Sequence, residues 1–224
     1  MSSAETHAGF RALPGDERLT TAILSDSCDA AGRRDQVLSG RLAPVTPGMR
    51  AIGRARTVRF APSLEDDPDD PYGDAIDVID SVRQGQLIVI STDESDGSAF
   101  WGELFSAAAL GAGAAGVITD GNLRDTDRIA ALGFPAFSRS RRPIDFRARL
   151  RIVDADVPVL IGGVRIDPGA IVMADDDGVV VVPRDIEDRV LALARERASR
   201  ETTVLAELLA GESLRAVWDR HRIL

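Results

Sequence analysis

The chain has 224 residues, 44% of them hydrophobic and 28% charged, and a formal net charge of −9. That is enough for one domain with a substantial core plus an appendage, and the acidic balance argues against a nucleic-acid backbone as partner. No run approaches the 18 apolar residues of a transmembrane helix, so no membrane partner is expected.

The residue inventory excludes further chemistries. Cys28 is the single cysteine, which leaves no intrachain disulfide and no cysteine-cluster metal site. The two histidines, His7 and His221, lie near the ends of the chain, so histidine triads and multi-histidine zinc sites are disfavoured. All 27 basic side chains are arginine, which rules out a lysine Schiff base. Any catalysis must rest on carboxylates, arginines and backbone amides, with or without a hard metal.

In chain order, residues 1–16 are polar, lack the apolar stretch of a secretory signal, and read as a loose tail; a cytoplasmic protein is the expectation. A helix is predicted over 19–31, closed by Gly32, with Cys28 as a small core residue. A strand over 49–60 follows, then an acidic loop over 62–72 that contains Asp66, Asp67, Asp69 and Asp70. Next come a helix over 74–83, a buried strand over 87–90, a polar loop over 91–98 and a helix over 100–110. A second buried strand spans 116–119, a tight loop leads to a short helix over 125–132, and a strand covers 134–137. Short β runs then occupy 151–153, 157–161, 164–166, 171–174 and 179–182, separated by Gly162-Gly163, Pro168-Gly169 and Asp177-Gly178. From Asp185 the pattern is helical, broken at Gly211-Glu212-Ser213. The order predicts an α/β chain with a single layered β/β/α domain over 17–184. A C-terminal helical arm over 185–224 packs its apolar face on that domain or on a neighbouring subunit.

Three patterns look functional and read better as structure. Gly111-Ala112-Gly113-Ala114-Ala115-Gly116 matches a dinucleotide fingerprint, but it follows a helix and enters a strand, the reverse of what a pyrophosphate needs. Asp175-Asp176-Asp177-Gly178 resembles the start of a calcium loop, but the next residues form a strand, so a hairpin turn is expected. Arg139-Ser140-Arg141-Arg142 reads as a solvated face or subunit contact.

The segment from 100 to 137 carries more information. Gly102-Glu103-Leu104 stands where a helix begins, and the first N–H groups of a helix favour an anion. Asp120-Gly121-Asn122-Leu123-Arg124-Asp125 follows a buried strand, where ligands gather in α/β sheets. Arg124 can grip a carboxylate bidentately and Asp125 can ligate a hard cation. On these grounds alone a salt bridge with a helix cap remains the competing reading.

Twenty residues separate Glu103 from Arg124-Asp125. This spacing resembles the acidic-x20-Arg-Asp signature of class II pyruvate aldolases acting on 4-hydroxy-4-methyl-2-oxoglutarate, within the RraA-like family. Gly53-Arg54-Ala55-Arg56-Thr57-Val58, Gly133-Phe134-Pro135-Ala136-Phe137, Gly162-Gly163-Val164 and the run from Asp175 to Pro183 resemble further family segments in the same order. Ala170, where the family usually has aspartate, and the acidic loop depart from the pattern. The resemblance implies a swivelling-domain-like fold and a homotrimer or homohexamer. It implies Asp125 as direct ligand of Mg²⁺ or Mn²⁺, with Glu103 holding that ion through water. Arg124 and the backbone around Gly102, Leu104 and Phe105 would bind the pyruvate-like end of a 2-oxo acid. Glu201 would act from a neighbour's C-terminal arm. The implied activity is release of pyruvate by retro-aldol cleavage, with oxaloacetate decarboxylation through the same enolate. Two alternatives are a non-catalytic RraA-type binding protein, regulating ribonuclease E, and a related metal enzyme acting on another 2-oxo acid.

Overall fold

The computed structural model describes residues 18–40, 42–64 and 68–223. The tail read over 1–16 lies outside the described residues, as do Asp66 and Asp67 of the acidic loop.

The elements in chain order are α1 (Thr21–Ala30), β1 (Ala43–Pro44), β2 (Ala51–Pro62), α2 (Gly73–Asp80), β3 (Gln86–Ser91), β4 (Ala99–Trp101), α3 (Glu103–Gly111), β5 (Gly116–Leu123), α4 (Thr126–Leu132) and β6 (Ala136–Arg141). They continue with β7 (Leu150–Ala155), β8 (Val159–Ile161), β9 (Val164–Ile166), β10 (Ile171–Asp175), β11 (Gly178–Val182), α5 (Glu187–Leu209) and α6 (Leu214–His221). The main sheet runs β1-β6-β5-β3-β2-β10-β11, with β4 added on β5 and β7 on β2. Its centre, β6-β5-β3-β2, is parallel; β1, β7, β10 and β11 pair antiparallel.

Burial on both faces explains the unbroken apolar runs of β3 and β5. On one face Val58, Phe60, Ile88, Ile90 and Val117 pack against the layer of α2, α3 and α4, through Ile79, Ala109 and Ile129. On the other, Leu87, Val89, Ile118 and Phe137 meet the β8-β9 hairpin and the inner residues Val172, Val179 and Val181. This is the expected β/β/α layering. The outer side of β10 and β11 is covered by α1 and the first half of α5, through Leu24, Cys28, Met173, Val180, Val190 and Leu191. Thr20 starts α1 by accepting a hydrogen bond from the Ile23 N–H at 3.1 Å. Burial, with Asp29 adding to it, pushes the Cys28 thiol up to about 11, so it is a core residue.

Several boundaries differ from the sequence reading for definite reasons. The helix expected over 100–110 begins at Glu103, because Phe100 and Trp101 are buried in β4, paired with β5. The strand expected over 116–119 continues to Leu123 and stays buried throughout, with the Asp120 carboxylate and the Asn122 amide N–H bonded to the 92–98 loop. The strand expected over 134–137 begins at Ala136 and runs on to Arg141.

The three decoys are structural. Gly111 ends α3, and a Cβ on Gly116 would lie 2.6 Å from the Pro135 carbonyl oxygen, so the glycine run serves a close helix-to-strand turn. Arg139 pairs with Glu94 at 2.7 Å and Asp96 at 3.1 Å. Asp176 accepts from the Gly48 N–H at 2.9 Å. Asp175 accepts from the Thr21 N–H at 2.9 Å, the Thr21 hydroxyl at 2.6 Å and the Asp177 N–H at 3.0 Å.

Arg54 binds Glu187 through two hydrogen bonds, of 2.9 and 2.5 Å, tying the start of α5 to β2. Farther along, α6 folds back through Val204, Val217 and Ile223, while Leu205 and Leu209 remain exposed. Among the described residues no helix is long and apolar enough to cross a membrane.

Asp175 thus seats α1 on the β10-β11 turn with three donors. Asp175→Ala is expected to lower stability by about 1–3 kcal/mol, the cost of stranding such donors. Urea denaturation followed by circular dichroism measures it, and a change under about 0.5 kcal/mol, the range of an ordinary surface substitution, contradicts the assignment.

Candidate functional site

The pairing of β4 with the far end of β5 builds the site. Ala99 lies opposite Asn122 and Trp101 opposite Leu123, and the Arg124 N–H donates to the Trp101 carbonyl at 3.0 Å. Gly102 therefore emerges from β4 directly beside Arg124-Asp125. The corner is closed by the Trp101 indole donating to the Ser106 hydroxyl at 2.7 Å, which donates to the Gly102 carbonyl at 2.9 Å.

Gly102 is extended, with φ −153° and ψ −167°, so its backbone does not require glycine. The surroundings do. A Cβ there would lie 2.8 Å from Asp125 Oδ2, 3.1 Å from Arg124 Cγ and 3.2 Å from Arg124 Nε. Asp125 caps α4 in the left-handed region, φ 54° and ψ 34°, which aspartate tolerates better than most residues. That turn brings its Oδ2 within 3.4 Å of the Glu103 N–H at the start of α3. Strained backbone of this kind concentrates at functional sites.

The structure brings together Gly102, Glu103, Leu104, Phe105, Arg124 and Asp125. Arg124 is half-buried and Asp125 exposed, and Arg124 Nε lies 3.8 Å from Asp125 Oδ2. Glu103 faces Arg128 at 3.6 Å. Leu104 is 80% exposed on the first turn of α3, whose N–H groups have no acceptor within the helix. Glu201 is not at this site in its own chain: it accepts from Arg197 Nε at 2.7 Å, and Arg197 also binds Asp26 at 2.7 Å.

Among the described residues no three His, Cys, Asp or Glu side chains form a metal cluster. Asp125 Oδ2 faces the α3 N-terminus, while Oδ1 takes no hydrogen bond from the described residues. Asp125 and Glu103 are hard oxygen donors near one helix start. They fit Mg²⁺ or Mn²⁺, which bind through one or two carboxylates and fill the remaining positions with water and substrate oxygens.

Two supporting groups escaped the sequence reading. Asp145 Oδ2 lies 3.0 Å from Arg124 Nη1 and accepts from the Tyr72 hydroxyl at 2.6 Å. Burial works to raise the Asp145 pKa, but the Tyr72 hydroxyl, the Arg147 N–H and Arg124 outweigh it and hold the carboxyl below its usual range. The hydrogen bond to Asp145, then burial, raises the Tyr72 phenol. Asp120, only 3% exposed, accepts from the Thr92 N–H at 2.7 Å, the Thr92 hydroxyl at 2.8 Å and the Glu94 N–H at 3.3 Å, which pins the 92–98 loop. Its position two residues before Asn122 was visible in sequence; that it faces inward was not, because polar letters hid the second half of β5. A groove of about 300 Å³, lined by Tyr72, Asp74, Asp77, Phe146 and Leu150 among others, lies on the Tyr72 side of this network.

Comparison with known proteins identifies the family of the chain. The chain is 31% identical over 202 residues to a Halalkalibacterium halodurans protein named "Putative 4-hydroxy-4-methyl-2-oxoglutarate aldolase", covering 88% of this chain and 86% of that protein. It is 32% identical over 165 residues to Protein DlpA of Legionella pneumophila; those residues are 74% of this chain and span only about a quarter (26%) of DlpA. Among solved structures it resembles Streptomyces coelicolor RraAS2, described as an unusual member of the RNase ES inhibitor RraA protein family. The TM-score is 0.74 at 29% identity, over 86% of this chain and 96% of that one. The RraA-like family profile, Aldolase/RraA, matches residues 21–181. The chain belongs to the RraA-like (Aldolase/RraA) family.

Proposed function

We propose that the protein is a divalent-metal-dependent lyase that cleaves a 2-oxo acid and releases pyruvate. The carrying observation is the convergence of Arg124 and Asp125 on the start of α3, with Asp125 Oδ2 3.4 Å from the Glu103 N–H. The names of relatives such as the Halalkalibacterium protein support an aldolase with 4-hydroxy-4-methyl-2-oxoglutarate as substrate.

In the retro-aldol direction the C4 hydroxyl loses its proton and the C3–C4 bond breaks. Its electron pair moves to C3 and onto the C2 carbonyl oxygen, giving the enolate of pyruvate, while C4 becomes the ketone of a second pyruvate. Oxaloacetate loses CO₂ across its own C3–C4 bond and leaves the same enolate. Asp125 and Glu103 would hold Mg²⁺ or Mn²⁺, which supplies Lewis-acid polarisation of the 2-oxo group. Arg124 binds the oxygens of the pyruvate end and offsets the negative charge as it moves to the C2 oxygen. The first-turn N–H groups of α3, at Leu104 and Phe105, receive the substrate carboxylate. Glu103 orients the water that takes the hydroxyl proton. We assign Glu201 no step within its own chain.

Purified protein with Mg²⁺ is expected to release pyruvate from oxaloacetate and from 4-hydroxy-4-methyl-2-oxoglutarate, read by coupled lactate dehydrogenase, and EDTA is expected to abolish it. Activity that survives EDTA or Asp125→Ala refutes the reading; absence of any turnover on a panel of 2-oxo acids favours a non-catalytic binding protein. Arg124→Ala should lower kcat/KM by roughly 100-fold or more, the scale of a lost transition-state donor, with an unchanged melting temperature. A collapsed fold would return Arg124 to the role of a structural ion pair.

Gly102→Ala probes the geometry. The added methyl must displace Asp125 Oδ2 and the Arg124 side chain, so turnover should fall by roughly tenfold or more, as with small misplacements of reacting groups. The backbone there suits alanine, and the stability loss should stay within about 1–2 kcal/mol, the range of an N-cap replacement. Wild-type kinetics in this variant would mean that the close approach is incidental.

A further inference from the structure

Arg124 does not stand free. Its Nη1 is taken by Asp145 at 3.0 Å, while its Nε lies toward Gly102 and Asp125. In a guanidinium, Nε–H and the Nη2 hydrogens on the same side form one fork, and Nη1 belongs to the other end. An anchor on Nη1 therefore leaves the Nε–Nη2 fork turned to the side where Asp125 and the α3 N-terminus meet.

The anchor is itself held from three directions. The Tyr72 hydroxyl donates to the same Oδ2 at 2.6 Å, and the Arg147 N–H donates to Oδ1 at 3.2 Å. The backbone fixes the segment too: the Ala99 N–H donates to the Ile144 carbonyl at 2.6 Å, so 144–145 flanks β4 opposite β5. Tyr72 meets Phe146 edge-on at 5.6 Å, and Phe146 meets Phe60 at 5.5 Å, so the phenol is carried by the core. A half-exposed Arg–Asp pair alone contributes little stability. Bracing it with a phenol and a backbone N–H is a device for orientation.

We propose that Asp145, braced by Tyr72, is a positioning residue for Arg124, fixing which fork of the guanidinium faces the carboxylate or enolate oxygens of the substrate. The inference rests on the reading of Arg124 given under Proposed function. It assigns Asp145 and Tyr72 no contact with the substrate.

The test uses the full chain with Mg²⁺, oxaloacetate turnover, and calorimetric binding of oxalate, whose two planar carboxylates mimic the oxygens of the enolate. Asp145→Asn should weaken oxalate binding and raise the KM for oxaloacetate by about tenfold or more, the worth of one charge-assisted hydrogen bond. Tyr72→Phe should move both in the same direction by a smaller factor. The deciding measurement is the same Asp145→Asn change made on Arg124→Lys. An ammonium has no fork to orient, so oxalate affinity should then change by less than about twofold. Equal weakening in both backgrounds overturns the inference, because Asp145 would then act independently of Arg124. Unchanged binding and KM in Asp145→Asn alone overturn it too, as does a lowered melting temperature without a change in KM. Wild-type protein that neither binds oxalate nor releases pyruvate sinks the lyase reading, and this inference with it.

Discussion

A short parallel pairing, β4 against the end of β5, is the constraint on which the site depends. β3 turns into a polar loop that returns as β4, and β4 must lie down beside residues 122–123 for Gly102 to reach Arg124. Phe100 and Trp101 supply the driving force, since both are buried in the core under α3. A large aromatic side chain removes 150–250 Å² from water, a strong incentive for so short a strand. The Trp101 indole then finds Ser106, so the residue that drives burial also sets the first turn of α3.

The polar half of β5 is the second part of the same construction. Asp120 and Asn122 are buried and face the 92–98 loop, where Thr92, Glu94 and Ser98 receive them. A buried carboxylate is costly unless donors satisfy it. Burial raises the pKa of Asp120, and the hydrogen bonds from Thr92 and Glu94 offset part of that rise. The loop is therefore held by interactions that are expensive to break, which keeps β4, and with it Gly102, in register with Arg124.

Much of this was legible. The apolar runs of β3 and β5, the glycine-punctuated β segment and the C-terminal helices follow directly from periodicity and turn chemistry. The candidate site residues stood out because their spacing resembles the family signature, in a chain whose cysteine, histidine and lysine chemistry is excluded. What stayed hidden has a common cause. β4 and the second half of β5 bury Asp120 and Asn122 beside aromatic residues, so the sequence there reads as a loop followed by a helix. Asp145 is hidden for another reason: it lies twenty residues beyond Asp125 in a run of arginines, and only the bridge from Ile144-Asp145 to Ala99 places it at the site. Glu201, expected to act from a neighbour's arm, pairs within its own chain with Arg197.

Charge balance ties the supporting groups to the proposed chemistry. Around the start of α3 and the Tyr72–Asp145 pair stand three carboxylates, of Glu103, Asp125 and Asp145, against the guanidiniums of Arg124, Arg128 and Arg147. The charges of this set balance before any substrate arrives. A 2-oxo acid with a second carboxylate would add two more negative charges, and unscreened repulsion at such separations costs on the order of 1–4 kcal/mol per pair. The helix start offsets only about half a charge. One divalent cation at Asp125 would bring the assembly back toward neutrality, while Asp145 keeps Arg124 from collapsing onto Asp125 and leaves that carboxylate available to ligate. On this argument the negative charge that a dicarboxylate substrate brings supports the metal-dependent reading.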